Sequence, residues 1–204
     1  MSDSAELWQA FKEGDRPAYA RIYDLNFARL CHYGYKFTRN TALIEDSIHD
    51  LFARMWVSRR KLGEPASVKN YLYKAFRNIL LRKLQADGRF DDLDDDYAFR
   101  YEPAQDASMV LRENEQALRQ KLQFVINGLP ARQREIIYLR FYEGMNYEEI
   151  ADLMAINVNS AYKLLYKALD KLQKVLTLSK TSVIMALVLN FSLLEQKSEN
   201  IFHQ

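Results

Sequence analysis

Apolar residues recur at intervals of three and four along almost the whole chain, and no stretch sustains the apolar and polar alternation of a half-buried strand. A helix turns once in about 3.6 residues, so this spacing gathers apolar side chains on one face, whereas a strand would divide them between two. The chain is therefore predicted to be all-α. Leu7, Trp8 and Phe11 mark a short first helix ending near Gly14, and Asp15 with Pro17 opens a second through Tyr19, Ile22, Leu30 and Tyr33. A third runs from about Thr41 to Arg60, with Ile44, Ile48, Leu51, Phe52 and Met55 on one side. Gly63, Glu64 and Pro65 break it, and Ser67 caps a fourth, striped by Val68, Leu72, Ala75, Phe76 and Ile79, that ends near Gly88.

The net charge of +2 conceals a division. Residues 1–88 hold 15 Lys and Arg against 10 Asp and Glu, residues 89–115 hold 3 against 9, and residues 116–180 hold 10 against 6. Within the acidic block, Asp91, Asp92, Asp94, Asp95 and Asp96 lie between Gly88 and Pro103, where like charges repel and few apolar residues could form a core. An extended linker and a solvated acidic loop both fit, and either marks a domain boundary. The resulting layout is a domain over 1–88, an acidic linker over 89–107, a second domain over 108–178 and a tail over 179–204.

Composition narrows the function classes. An apolar share of 49% with 27% charged residues is that of a folded chain. One cysteine, Cys31, excludes an internal disulfide, and the first residues lack a basic patch followed by an apolar run, so an intracellular, cytoplasmic protein is expected. The six glycines, at 14, 34, 63, 88, 128 and 144, are too scattered for a phosphate-cradling loop, which argues against a nucleotide-dependent enzyme.

In the second half, a helix from about Asp106 to Asn127 stops at Gly128, and Leu129 with Pro130 starts another that stops at Gly144. Asn146 caps Tyr147 to Met154, and after a turn at 155–158 Asn159 is expected to cap a helix carrying Lys163, Lys167, Lys171 and Lys174. Two helices joined by so short a turn suggest a helix-turn-helix, although Ala155 stands where the turn favours glycine. A plain helical hairpin with lysines facing water fits the same segment.

Other constellations are weaker. Asp46 and His49 have the acid-x-x-His spacing of carboxylate-bridged metal bundles, but neither His32 nor His203 has a matching acid three residues before it. No metal site is expected. Cys31 and His32 are neighbours on a helix and point in different directions, so they make a poor nucleophile and base. A richer segment is Arg59, Arg60 and Lys61, followed by Lys69, Asn70, Tyr73, Lys74 and Arg77, with Arg82 and Lys83 beyond. Cations hold phosphates and aromatic faces stack on unpaired bases, so this mixture suits melted nucleic acid, while a solvated face over a core of aromatics is the plainer alternative.

The run Ile44-Glu45-Asp46-Ser47-Ile48-His49-Asp50-Leu51-Phe52-Ala53-Arg54-Met55-Trp56 resembles the acidic helix of bacterial sigma factors that docks on RNA polymerase. Leu129 to Ile137, Tyr147 to Ala151 and Tyr166 to Leu169 resemble the promoter-reading domain of that family. The layout is similar to the small extracytoplasmic-function subfamily, with features of its iron-citrate-like branch. This resemblance implies two helical domains, sigma region 2 and sigma region 4, and a non-enzymatic protein without cofactor, monomeric when free. Its partners would be core RNA polymerase, promoter DNA and a membrane-bound anti-sigma factor. Polymerase docking would fall to Asp46, His49, Asp50 and Phe52. The minus 10 element would be held by Arg59, Arg60, Lys61, Lys69, Asn70, Tyr73, Lys74 and Arg77, and the minus 35 element by Asn159, Ser160, Tyr162, Lys163, Tyr166 and Lys167.

This chain departs from the family at informative places. His49 replaces a usual Gln, and Ser160-Ala161-Tyr162-Lys163-Leu164-Leu165 stands where "TVKSRL" is common, losing a cation and gaining an aromatic. The apolar run from Ser182 to Leu194 is 13 residues against the ~20 that span a bilayer, so a packed or partner-binding helix is expected there. A stand-alone helix-turn-helix regulator, dimeric on a palindrome, is the alternative function.

Overall fold

The computed structural model describes residues 3–87, 99–100, 113–179 and 181–188, and among them all regular structure is helical, as the apolar spacing requires. The chain divides into two compact units, Met1–Ala98 and Phe99–Gln204.

The first unit is built from α1 (Asp3–Glu13), α2 (Arg16–Gly34), α3 (Thr41–Ser58), a single 3-10 turn (Arg59–Lys61) and α4 (Val68–Ala86). Each longer helix starts on a side-chain cap that satisfies a backbone N–H with no helical partner. The Asp15 carboxylate accepts from the Ala18 amide at 3.3 Å, the Asn40 Oδ1 from the Leu43 amide at 3.1 Å and the Ser67 Oγ from the Asn70 amide at 3.1 Å. The expected starts of the second and fourth helices thus carry the caps read from the sequence.

Between these helices lies an aromatic core. Phe11, Tyr33, Phe52, Tyr73 and Phe76 are almost wholly buried. Tyr33 meets Tyr73 at 5.1 Å between ring centroids, and Tyr23 meets Phe52 edge-on at 4.9 Å, in the tilted and edge geometries that ring quadrupoles favour. Gly34 sits where α2 comes closest to its neighbours, since a Cβ there would lie 2.8 Å from the Ile44 Cγ2 and 3.0 Å from the Phe76 Cζ. Trp8, buried against Phe11 in this core, donates its indole N–H to the Gly63 carbonyl at 3.0 Å and ties α1 to the loop before α4.

The second unit comprises α5 (Glu113–Asn127), α6 (Ala131–Ile137) running into one π turn (Tyr138–Tyr142), α7 (Tyr147–Leu153) and α8 (Val158–Leu176). Asn146 forms a reciprocal capping box with Glu149, accepting at 2.8 Å and receiving at 3.0 Å. The inner stripe of α8 is Ala161, Leu165, Ala168, Leu169, Leu172 and Leu176, all buried.

Two expectations are corrected here. The cap of α8 is Asn157, whose Oδ1 accepts from the Ser160 amide at 2.7 Å, so Asn159 lies in the first turn and faces solvent. In the turn before it, Ala155 takes a positive φ of 54°, the conformation for which glycine is favoured there. Phe99, within the stretch read as linker, is fully buried in the second unit, 5.7 Å from the Tyr138 ring centroid, with its carbonyl bonded by the Arg134 guanidinium. Most of the acidic stretch 89–107 lies outside the described residues, as does the tail beyond 188. The tail's first part is helical over 181–188, burying Val183 and Leu187 and exposing Ile184, Met185 and Val188.

Candidate nucleic-acid interface

Three outward surfaces gather the residues of interest, one on α3, one running from the 3-10 turn into α4, and one on α8. The α3 stripe of Ile44, Ser47, Ile48, Leu51, Phe52 and Met55 faces inward, which turns Glu45, Asp46 and His49 to solvent. Asp50, one turn after Asp46, is drawn to α4, where the Lys83 ammonium stands 2.8 Å from its carboxylate. That hydrogen bond, with Arg54 and His49 also nearby, holds the Asp50 carboxyl below the usual carboxylate range. The His49 Nε2 lies 3.2 Å from the Tyr23 hydroxyl. Phe52, grouped with these residues by sequence position, is buried beneath them against Tyr19 and Tyr23. It belongs to the inward apolar stripe of α3 and offers no surface to a partner.

On the second surface, Arg60 and Lys61 are exposed. Arg59 lies differently: its guanidinium sits 4.4 Å over the Trp56 ring and donates to the Trp56 carbonyl at 2.7 Å. It closes the end of α3 as a stacked cap. Along α4, Lys69, Asn70 and Lys74 are half-buried, with the Lys69 ammonium 5.6 Å from the Tyr73 ring centroid. Tyr73 and Arg77 are corrections, since both belong to the buried side of α4 and neither offers a surface to a base. The aromatics read as stacking platforms prove to be core because α4 is packed on both α2 and α3, which leaves it a narrow outer face.

The third surface is the most coherent. Asn159, Tyr162, Lys163, Tyr166 and Lys167 are all exposed along one side of α8, and Ser160 is half-exposed at its start. Tyr162 stacks on Tyr147 of α7 with ring centroids 3.6 Å apart and planes 23° from parallel. Beside that stack the Arg140 guanidinium lies 5.5 Å from the Tyr147 centroid and donates to the Met145 carbonyl at 3.0 Å. Burial raises the Tyr147 hydroxyl above its ordinary value while Arg140 opposes the rise. Lys171 is also exposed, but its ammonium bonds the Gly128 carbonyl at 2.9 Å. Neither Tyr147 nor Arg140 could be placed beside Tyr162 from the sequence, since only folding brings α7 and the π turn before it against α8.

The weaker constellations dissolve. Burial, with Glu45 adding to it, pushes the Cys31 thiol up to about 11, the reverse of an activated nucleophile. Desolvation, with Lys36 adding, lowers the His32 imidazole to about 4. Among the described residues no group of three or more His, Cys, Asp or Glu is placed to hold a metal, and no helix is long and apolar enough to cross a membrane.

Residues 22–90 match the family model described as sigma-70 region 2, and residues 119–172 match that described as sigma-70, region 4. The chain belongs to the sigma-70 family. Within it, the extracytoplasmic-function sigma factor SigK of Mycolicibacterium vanbaalenii is 25% identical over 158 residues, covering 74% of this chain and 78% of its own. The sigma factor RfaY of Xanthomonas campestris, described as probable, is 26% identical over 161 residues, and the match spans 76% of this chain but 39% of RfaY. The fold is also that of the Bartonella quintana sigma factor RpoE, solved in complex with the anti-sigma factor NepR, with a TM-score of 0.55 at 21% identity over 79% of this chain and 98% of that one. In this member of the sigma-70 family, the region 2 match takes in α3 and α4, and the region 4 match takes in α7 and most of α8.

Proposed function

We infer that this chain binds core RNA polymerase and directs it to promoters, acting as a non-catalytic specificity subunit in the cytoplasm. The observation that carries this reading is the outer face of α8, where Asn159, Tyr162, Lys163, Tyr166 and Lys167 stand clear of a fully buried inner stripe in a helix-turn-helix. An α-helix so equipped fits the major groove, with cations for phosphates and side chains for base edges. The second domain, over 108–178, reads the minus 35 element through this helix. The first, over 1–88, meets the minus 10 element through Arg60, Lys61, Lys69, Asn70 and Lys74 and docks on the polymerase through the exposed carboxylate of Asp46 with His49 beside it. The acidic stretch ahead of Phe99 links the two and carries negative charge along a path otherwise suited to nucleic acid. A membrane-bound anti-sigma factor holds the protein inactive until released. The complex of RpoE with NepR supports that a fold of this kind is bound by an anti-sigma protein.

Transcription with purified core polymerase tests this reading. The full chain should confer start-site selection on core enzyme, and Asp46→Lys should abolish both polymerase binding and transcription while the thermal transition stays within about 0.5 kcal/mol of wild type, as an exposed helix position allows. Tight binding to a palindrome as a dimer, independent of polymerase and unaffected by Asp46→Lys, would overturn it.

A further inference from the structure

The outer face of α8 carries two tyrosines one helical turn apart and no arginine anywhere from Val158 to Leu176. Tyr162 is 40% and Tyr166 53% exposed, large values for aromatic rings, and Tyr162 is held by its 3.6 Å stack on Tyr147. Lys163 and Lys167 each follow a tyrosine by one residue, so they form a second stripe about 100° around the helix. One stripe is aromatic and the other cationic. In the major groove, thymine presents a C5 methyl group that an apolar surface can cover, whereas guanine presents two acceptors best met by a paired donor such as arginine. A phenol ring covers a methyl well and offers no donor pair.

We propose that Tyr147 is a positioning residue for minus 35 recognition, clamping the Tyr162 ring against α7 so that α8 selects thymine by its C5 methyl. Arg140 secures the clamp through its contact with Tyr147 and its bond to the Met145 carbonyl. Tyr166 extends the aromatic stripe by one turn, and the neighbouring lysines hold phosphates without choosing a base. Because the Tyr162 ring is already stacked before DNA arrives, less side-chain freedom is lost on docking. This inference rests on the reading of α8 as the promoter-recognition helix.

The test uses holoenzyme assembled from the full chain and core polymerase, with duplexes selected from a library randomised across the minus 35 element. In a recovered duplex each thymine is replaced in turn by uracil, which differs only in lacking the C5 methyl. At one or two positions uracil should weaken holoenzyme binding about fourfold, the effect of burying one methyl group. Tyr162→Ala and Tyr147→Ala should each bind thymine and uracil duplexes alike at the affected position, with the thermal transition showing that both fold. Tyr147→Phe, which keeps the ring, should retain the thymine preference. Lys163→Ala should weaken binding to both duplexes equally. Indifference of the wild type to uracil at every position, a guanine required where Tyr162→Ala loses selection, or an undiminished methyl preference in Tyr147→Ala would overturn the proposal while leaving the sigma reading intact. Failure of the wild type to show any polymerase-dependent promoter binding would overturn both.

Discussion

The Lys83 ammonium of α4 stands 2.8 Å from the Asp50 carboxylate of α3, pairing one acid of the outward face and leaving Asp46, one turn earlier, exposed. Both partners are partly exposed, so the pair adds little to stability, in the range of about 0–1 kcal/mol for surface ion pairs. Its consequence is for binding. An acid already satisfied within the protein has less to gain from a cationic partner than one facing water, so Asp50→Asn should reduce core-polymerase affinity much less than Asp46→Lys. Titration of labelled core enzyme with each variant measures the difference.

Gly34 brings α2 against α3 and α4 at a separation that admits no side chain. Its Cβ would meet the Ile44 Cγ2 at 2.8 Å and the Phe76 Cζ at 3.0 Å, and both belong to fully buried side chains. Gly34→Ala should therefore destabilise the first unit by about 1–3 kcal/mol, the usual effect of overpacking a core. Urea denaturation of the variant checks this.

Ala155 holds a positive φ of 54° in the turn between α7 and α8, a conformation that disfavours any side chain. Glycine relieves that strain but is freer in the unfolded chain, and the two effects leave a net gain of up to about 1 kcal/mol. Ala155→Gly should raise the thermal midpoint of the second unit without changing promoter affinity, as calorimetry and binding assays on holoenzyme would show.

His32 carries a pH dependence of known sign. Its imidazole is lowered from 6.5 to about 4 in the folded protein, first by desolvation and then by Lys36. The unfolded chain therefore binds the proton more readily, and folding stability falls as pH drops from about 6.5 to 4. The contribution is at most about 3 kcal/mol, at 1.36 kcal/mol for each pH unit of difference. Carboxylates titrate in the lower part of the same window, so the informative quantity is a difference: His32→Gln should lose less stability than wild type between pH 7 and pH 4.5. Parallel curves would contradict it.

Helix content, most helix ends and the caps at Asp15, Ser67 and Asn146 were determined by the sequence alone, because apolar spacing and capping act over a few residues and need no distant partner. The inward face of α3 was legible for the same reason. Which polar or aromatic side chains reach solvent was not. Tyr73 and Arg77 read as surface residues from their neighbourhood, yet α4 packs on two helices, so they are core; Phe52, which the resemblance put in the docking set, keeps the place on the inward stripe of α3 that its spacing gave it. The Asp50 to Lys83 pair, the stack of Tyr162 on Tyr147 and the burial of Phe99 against Tyr138 join residues 33, 15 and 39 positions apart. Such contacts depend on how helices cross, and crossing is decided by the fit of whole side-chain surfaces, a property no local window of sequence contains.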